Sequence, residues 1–117
     1  MFKVIVAGGR DFNNYDLLKS KLDILLSNFD CDVQIVSGTA RGADKLGELY
    51  AKKSQLSLAL FPADWELHGK SAGYKRNAQM ADYADALVAF WDGKSRGTMH
   101  MINLAKSAGI HVRVVNY

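Results

Sequence analysis

Lys3-Val4-Ile5-Val6-Ala7-Gly8-Gly9-Arg10-Asp11, near the start of the chain, points to the architecture. A short apolar run ends in two glycines and an arginine, and a stripe of leucines at helical spacing begins a few residues later. The same design recurs twice. Val33–Val36 runs into Ser37-Gly38-Thr39-Ala40-Arg41-Gly42, and Ala86–Trp91 runs into Gly93-Lys94-Ser95-Arg96-Gly97-Thr98. Strands that are near-continuously apolar belong to sheets covered on both faces, and those sheets are parallel. In a parallel sheet every strand-to-helix loop lies at the same edge, so the three loops converge on one crevice.

Working outward from these turns, the chain alternates strand and helix. The strands are expected at Lys3–Gly8, Val33–Ser37, Leu56–Phe61, Ala86–Trp91 and Ile110–Val115. Between them, Leu18, Leu22, Leu25, Leu26 and Phe29 mark a helix over Tyr15–Phe29, capped by Asn13 or Asn14. Ala43, Leu46, Leu49 and Tyr50 mark a second helix over Ala43–Ser54. After a loop from Ala63 to Lys70, a third helix capped by Ser71 runs to about Tyr83, with Tyr74, Ala78 and Ala81 at helical spacing. The fourth runs from Thr98 to Ala108, with Met101, Ile102, Ala105 and Ala108 against the sheet, and Gly109 ends it. Right-handed crossovers then give a single α/β, Rossmann-like domain. Its five-stranded parallel sheet has the order 3-2-1-4-5, with helices on both faces. The topological switch falls between strands one and four, bringing Gly8–Asp11 opposite Gly93–Thr98.

The bulk properties narrow the function classes. At 117 residues the chain is one domain with a real core. No apolar run approaches the length of a membrane span, so no membrane partner is expected. The opening residues are expected to form the first strand, not a leader. Cys31 is the lone cysteine, which rules out an internal disulfide and makes a reducing cytoplasm the expected location. It is expected to be a buried or partly buried thiol. The net charge of +3 is compatible with an anionic ligand. Its basic residues are scattered, which disfavours a dedicated nucleic-acid surface without excluding one. Homo-oligomerisation is left open.

The loops themselves point to an anion. Each offers helix N-terminal amides and carries an arginine, which is how a phosphate seat is built. Gly8-Gly9-Arg10 stands where a dinucleotide fingerprint would, but Arg10 and Asn13 occupy two of its glycine positions. Ser37 stands where an acidic ribose ligand would end strand two. A nicotinamide-dependent dehydrogenase is therefore not expected. Gly69-Lys70-Ser71 and Gly93-Lys94-Ser95 resemble the tail of a nucleotide-triphosphate loop but lack its first glycine; Lys70 and Ser71 keep a place as anion contacts. His68, His100 and His111 lack metal-ligand spacing, so neither a metal nor a cofactor is called for. Ser37 and Thr39 supply hydroxyls and Arg41 a fork of donors. Asp44 is evenly balanced between a ribose contact and a solvated first turn, whereas Glu48 reads as solvated. Arg76, early in its helix, reads as a ligand contact in preference to a surface charge. Of the two tryptophans, Trp91 at the end of strand four is the better surface for a base, with Trp65 covering the loop or core.

The Gly8–Phe12 turn, the Ser37–Asp44 run, Phe61-Pro62-Ala63-Asp64-Trp65, Gly73-Tyr74-Lys75-Arg76-Asn77 and Ser95–Thr98 together resemble the YspA, cpYpsA-related branch of the SLOG superfamily. The resemblance spans essentially the whole chain. The superfamily includes the LOG phosphoribohydrolases and the DNA-processing protein DprA. It implies a Rossmann-like fold binding a nucleotide or nucleotide-derived ligand. Carried over from the LOG enzymes, Arg76 and Met80 match a helix motif in which Asn77 replaces lysine. Gly97 and Thr98 match the end of a glycine-rich turn. His100 falls on the position of the catalytic glutamate.

The expected site is thus Gly8, Gly9, Arg10, Ser37, Gly38, Arg41, Gly42, Asp44, Arg76, Asn77, Ser95, Gly97 and Thr98, with no catalytic residue assigned. Binding of a nucleotide or ribose-phosphate ligand is the first expectation. An N-glycosidic hydrolase, with Asp44, Asp11 or Asp92 replacing the missing glutamate, is the alternative, and DprA-like nucleic-acid binding is a further one.

Overall fold

The computed structural model describes residues 1–27 and 32–117. Strands β1 (Phe2–Gly8), β2 (Val33–Ser37), β3 (Ser57–Leu60), β4 (Ala86–Trp91) and β5 (His111–Asn116) form one parallel sheet ordered β3-β2-β1-β4-β5. Helices α1 (Tyr15–Leu26) and α2 (Ala43–Lys53) cover one face. A short helix, α3 (Trp65–His68), passes through a 3-10 turn at Gly69–Ser71 into α4 (Ala72–Tyr83). Helix α4 covers the other face with α5 (Arg96–Ser107). The expected class, strand order and parallel sheet are those observed.

The alternation of side chains along the strands explains the two cores. Val4 and Val6 point to the α1–α2 side, where they meet Leu18, Leu22, Val88 and Phe90. Ile5 and Ala7 point the other way, to Met80, Met101, Leu87 and Ala89. Both faces of β1 and β4 are therefore apolar, and each fully buried large side chain contributes about 1.5–3 kcal/mol. Gly47 serves this packing, because a Cβ there would stand 2.8 Å from Val6 Cβ. Glycine at that position lets α2 press onto β1.

Several boundaries differ from the pattern-based reading. The Asn14 Oδ1 accepts from Leu17 N at 3.0 Å, so it is the second asparagine that caps α1. The expected end of that helix at Phe29, and Cys31, lie outside the described residues. The Ala63–Lys70 segment is not irregular: Asp64 Oδ1 accepts from Leu67 N and nucleates α3. Ser71 makes no capping bond to α4; its hydroxyl donates to the His68 carbonyl, since the preceding 3-10 turn already feeds the helix. Helix α5 starts two residues early, at Arg96, because Ser95 caps it. Ala108 is exposed, and Gly109, at φ +76°, ends the helix as expected. On α4 the buried residues are Ala72, Asn77, Met80 and Ala81, and Tyr74 faces out. A buried asparagine on the inner face displaced the apolar stripe by one position. No helix among the described residues is long and apolar enough to cross a membrane.

Candidate functional site

At the carboxyl edge of the sheet, where Gly8 of β1 lies beside Phe90 of β4, a cavity of about 740 Å³ opens. The turn after β1 supplies Gly8, Gly9, Arg10 and Asp11, and the turn after β2 supplies Ala40, Arg41 and Asp44. From the α3–α4 segment come Trp65, Lys70, Gly73, Tyr74, Arg76, Asn77 and Met80. The turn after β4 and α5 close it with Asp92, Ser95, Gly97, Thr98 and Met101. The expected residues Gly8, Gly9, Arg10, Arg41, Asp44, Arg76, Asn77, Ser95, Gly97 and Thr98 thus line one cavity.

Ser37, Gly38 and Gly42 lie behind the cavity wall instead of on it. Ser37 is fully buried and its hydroxyl is engaged: it donates to Glu48 Oε2 at 2.7 Å and accepts from Thr39 N at 3.1 Å. It braces the loop and offers nothing to a ligand. Glu48, expected to be solvated, is the other half of that brace and also pairs with Lys45 at 3.6 Å. Gly42, at φ +81°, could not carry a side chain, because its Cβ would fall 2.2 Å from the Gly9 carbonyl oxygen. The Ala43 amide donates to that same carbonyl, so the first amide of α2 closes the loop and is not left for an anion.

Asp44 is the most consequential side chain of the site. It is only 5% exposed, and Oδ2 accepts from Ala40 N at 3.1 Å. Oδ1 has no hydrogen-bond partner among the described residues. Arg76 stands on the other side of Gly38, its Nη1 donating to the Gly38 carbonyl and its Nε donating to Asn77 Oδ1 at 3.0 Å. A Cβ on Gly38 would meet Arg76 Nη1 at 2.8 Å and Asp44 Oδ2 at 2.9 Å. The two charged groups converge over that glycine without a direct ion pair among the described residues. Burial pushes the Asp44 carboxyl up to about 6, against the opposing pull of the Ala40 amide and Arg76. Burial likewise lowers Arg76 from its ordinary value, with the Asp44 charge opposing.

The turn after β4 is arranged around its own carboxylate. Asp92 Oδ1 accepts from the amides of Lys94 at 2.8 Å and Ser95 at 2.9 Å, which hold its pKa below the usual range. Ser95 Oγ accepts from Thr98 N at 3.4 Å and bonds Thr98 Oγ1 at 3.0 Å. In the first turn of α5 the amides of Arg96 and Gly97 have no acceptor among the described residues, and in the preceding turn neither has that of Gly93. Gly97 has open space around it. Of the amides expected to be open to a ligand, those of Lys94, Ser95 and Thr98 are therefore already engaged.

Behind Arg76, Asn77 is buried and links two elements. Its Nδ2 approaches Gly97 O at 3.4 Å and His100 Nδ1 at 3.3 Å. Nδ1 therefore accepts, and the imidazole proton sits on Nε2. Burial lowers the His100 pKa, in keeping with a neutral ring. His100 stacks on Tyr74 at 4.3 Å between ring centroids and lies outside the cavity wall. Trp91 is turned inward, with Nε1 donating to Ser95 O at 3.1 Å, while Trp65 is 52% exposed and lines the cavity. The expected placements of the two tryptophans are exchanged. Trp91 is the last residue of an apolar strand and packs against its core, whereas α3 buries none of its residues.

Tyr117 completes the first turn from across the sheet. Its Oη donates to Asp11 Oδ1 at 2.8 Å, and its ring packs edge-on against Phe12 at 4.7 Å. A Cβ on Gly9 would collide with Oη at 1.9 Å. Of the paired glycines that signalled ligand approach, Gly8 is thus required by backbone packing, its Cβ position lying 2.3 Å from the Phe90 carbonyl oxygen, whereas Gly9 makes room for the end of the Tyr117 side chain.

The comparisons agree with this architecture. The model of the YspA, cpYpsA-related SLOG family matches residues 2–68. The Gene 61 protein of Mycobacterium phage D29 is 35% identical over 118 residues, spanning 96% of this chain and 94% of that protein. With the matched segment covering more than half the sequence, this chain belongs to the YspA, cpYpsA-related SLOG family.

Proposed function

We propose that the cavity binds a nucleotide or nucleotide-derived ribose phosphate. In this reading the phosphate meets the Arg96 and Gly97 amides with Arg76 and Arg10, and sugar hydroxyls donate to Asp44. The observation that carries it is Asp44, a buried carboxylate with one oxygen unpartnered among the described residues, in a cavity lined by Arg10, Arg41, Lys70 and Arg76. A buried charge without a direct ion pair works against folding, and such groups concentrate at functional sites. Cations on a concave wall suit a small anion better than a duplex. The lone cysteine fits a reducing, cytoplasmic setting.

The test is calorimetric titration of the protein and its Arg76→Ala and Arg76→Lys variants with AMP. Loss of a charge-assisted hydrogen bond, about 1.5–3 kcal/mol, predicts a roughly 10- to 150-fold drop for Arg76→Ala, with Lys between. Equal affinities for all three would sink the proposal. Base release from AMP in the same samples is expected near background, since His100 is a neutral imidazole outside the cavity. Robust turnover abolished by Asp44→Asn would instead make this an N-glycosidic hydrolase with a relocated carboxylate.

A further inference from the structure

From Trp65 we infer a second subsite, adjoining the anion seat, that takes the planar heteroaromatic ring of a nucleotide. This inference rests on the proposed function and narrows its ligand from sugar phosphates in general to those bearing a base. Helix α3 buries no residue, so Trp65 is not there to fill the core. Its backbone is nonetheless fixed in place: Asp64 caps the helix, and the Trp65 carbonyl accepts from the Gly69 amide.

Gly73 sets the spacing between ring and charge. A Cβ at that position would stand 3.6 Å from Trp65 Cη2 and 3.6 Å from Arg76 Nη2. The edge of the indole and the guanidinium therefore flank the same point on α4. A ligand gripped by Arg76 has the Trp65 ring within one side chain's reach. Gly73 has ordinary backbone geometry and no tight contact, so nothing in the packing demands glycine; its absent side chain leaves the passage between the two groups open. Tyr74, 48% exposed, adds a second ring to the same wall and is held from behind by His100. An exposed tryptophan beside an arginine, across a gap kept clear by glycine, matches what a base and its phosphate need. Every base offers a π-face, so stacking favours bases as a class and leaves the choice among them to other contacts.

The experiment compares AMP, UMP and ribose 5-phosphate on the unmodified protein and on Trp65→Leu and Trp65→Phe, by calorimetry and tryptophan fluorescence. Stacking predicts that AMP binds more tightly than ribose 5-phosphate, that Trp65→Leu weakens AMP by about 5- to 150-fold, and that Trp65→Phe recovers most of the loss. Ribose 5-phosphate should bind all three proteins alike, which also reports that the variants are folded. AMP should alter the indole fluorescence of the unmodified protein, and Trp65→Leu should abolish that response. If AMP and UMP bind but Trp65→Leu matches the unmodified protein, the base subsite is overturned and nucleotide binding stands. If none of the three ligands binds, both readings fall.

Discussion

The two sides of the cavity are both glycine-rich, yet their glycines do opposite things. On the side built by the turns after β1 and β2, a Cβ on Gly8 would meet the Phe90 carbonyl oxygen at 2.3 Å, and one on Gly42 would meet the Gly9 carbonyl oxygen at 2.2 Å. Those loops are locked into each other. On the side built by the turn after β4, Gly93 and Gly97 have nothing within 4 Å. One side uses glycine to let backbone approach backbone; on the other, Gly97 leaves room, while Gly93, at φ +84°, serves the conformation of its own turn. A glycine-rich turn is therefore not a ligand signal until its surroundings are known.

The largest effect that could break this contrast is Gly42→Ala. The new methyl group meets backbone that has no easy way to yield, at a residue with φ +81°. We expect a loss of roughly 4 kcal/mol or failure to fold, read by chemical denaturation. A variant as stable as the parent would mean the first side is as loose as the second.

Next in size, and opposite in sign, is Asp44→Asn. The native carboxyl titrates at about 6 against a reference of 3.8, so the folded state holds its proton to higher pH than the unfolded state. The burden on stability is absent below the lower value, grows as pH rises between the two, and is complete above the higher. Asparagine should thus stabilise the fold by up to about 3 kcal/mol near pH 8 and by almost nothing near pH 3, while weakening ligand binding. A pH-independent difference in the denaturation midpoints would refute the buried-charge account.

Smallest in stability is Gly97→Ala. In the first turn of α5, with open space around it, alanine should leave the fold unchanged or stabilise it by up to about 1 kcal/mol. Its methyl group stands beside one of the two free amides, so affinity for AMP should fall even as the protein becomes no less stable. Full affinity in the Gly97→Ala variant would remove that amide from the anion seat.

The strand order was legible because β1, β2 and β4 are apolar on both faces and their alternation with amphipathic helices leaves few topologies. The convergence of Arg10, Asp44, Arg76 and Gly97 followed from that order. What was not legible depended on partners distant in sequence. The commitment of Ser37 to Glu48 and the contact of Gly9 with Tyr117 appear only when the chain is folded. Trp65 misleads because an aromatic in a short segment reads as cover. The Asp64-Trp65-Glu66-Leu67 cap held the signal of a helix too short to bury it.

The unpartnered oxygen of Asp44 also makes the cavity a proton meter. A ligand hydroxyl donating to that oxygen favours the ionised carboxylate and lowers its pKa, whereas a ligand anion beside it raises the pKa. With the free carboxyl poised at about 6, occupancy near that pH must expel or capture a fraction of a proton. The direction of that exchange, measured as the dependence of binding heat on the buffer's ionisation enthalpy and taken as the difference between the unmodified protein and Asp44→Asn so that the titration of the ligand's own phosphate cancels, reveals which end of the ligand faces Asp44. Sugar hydroxyls there require release.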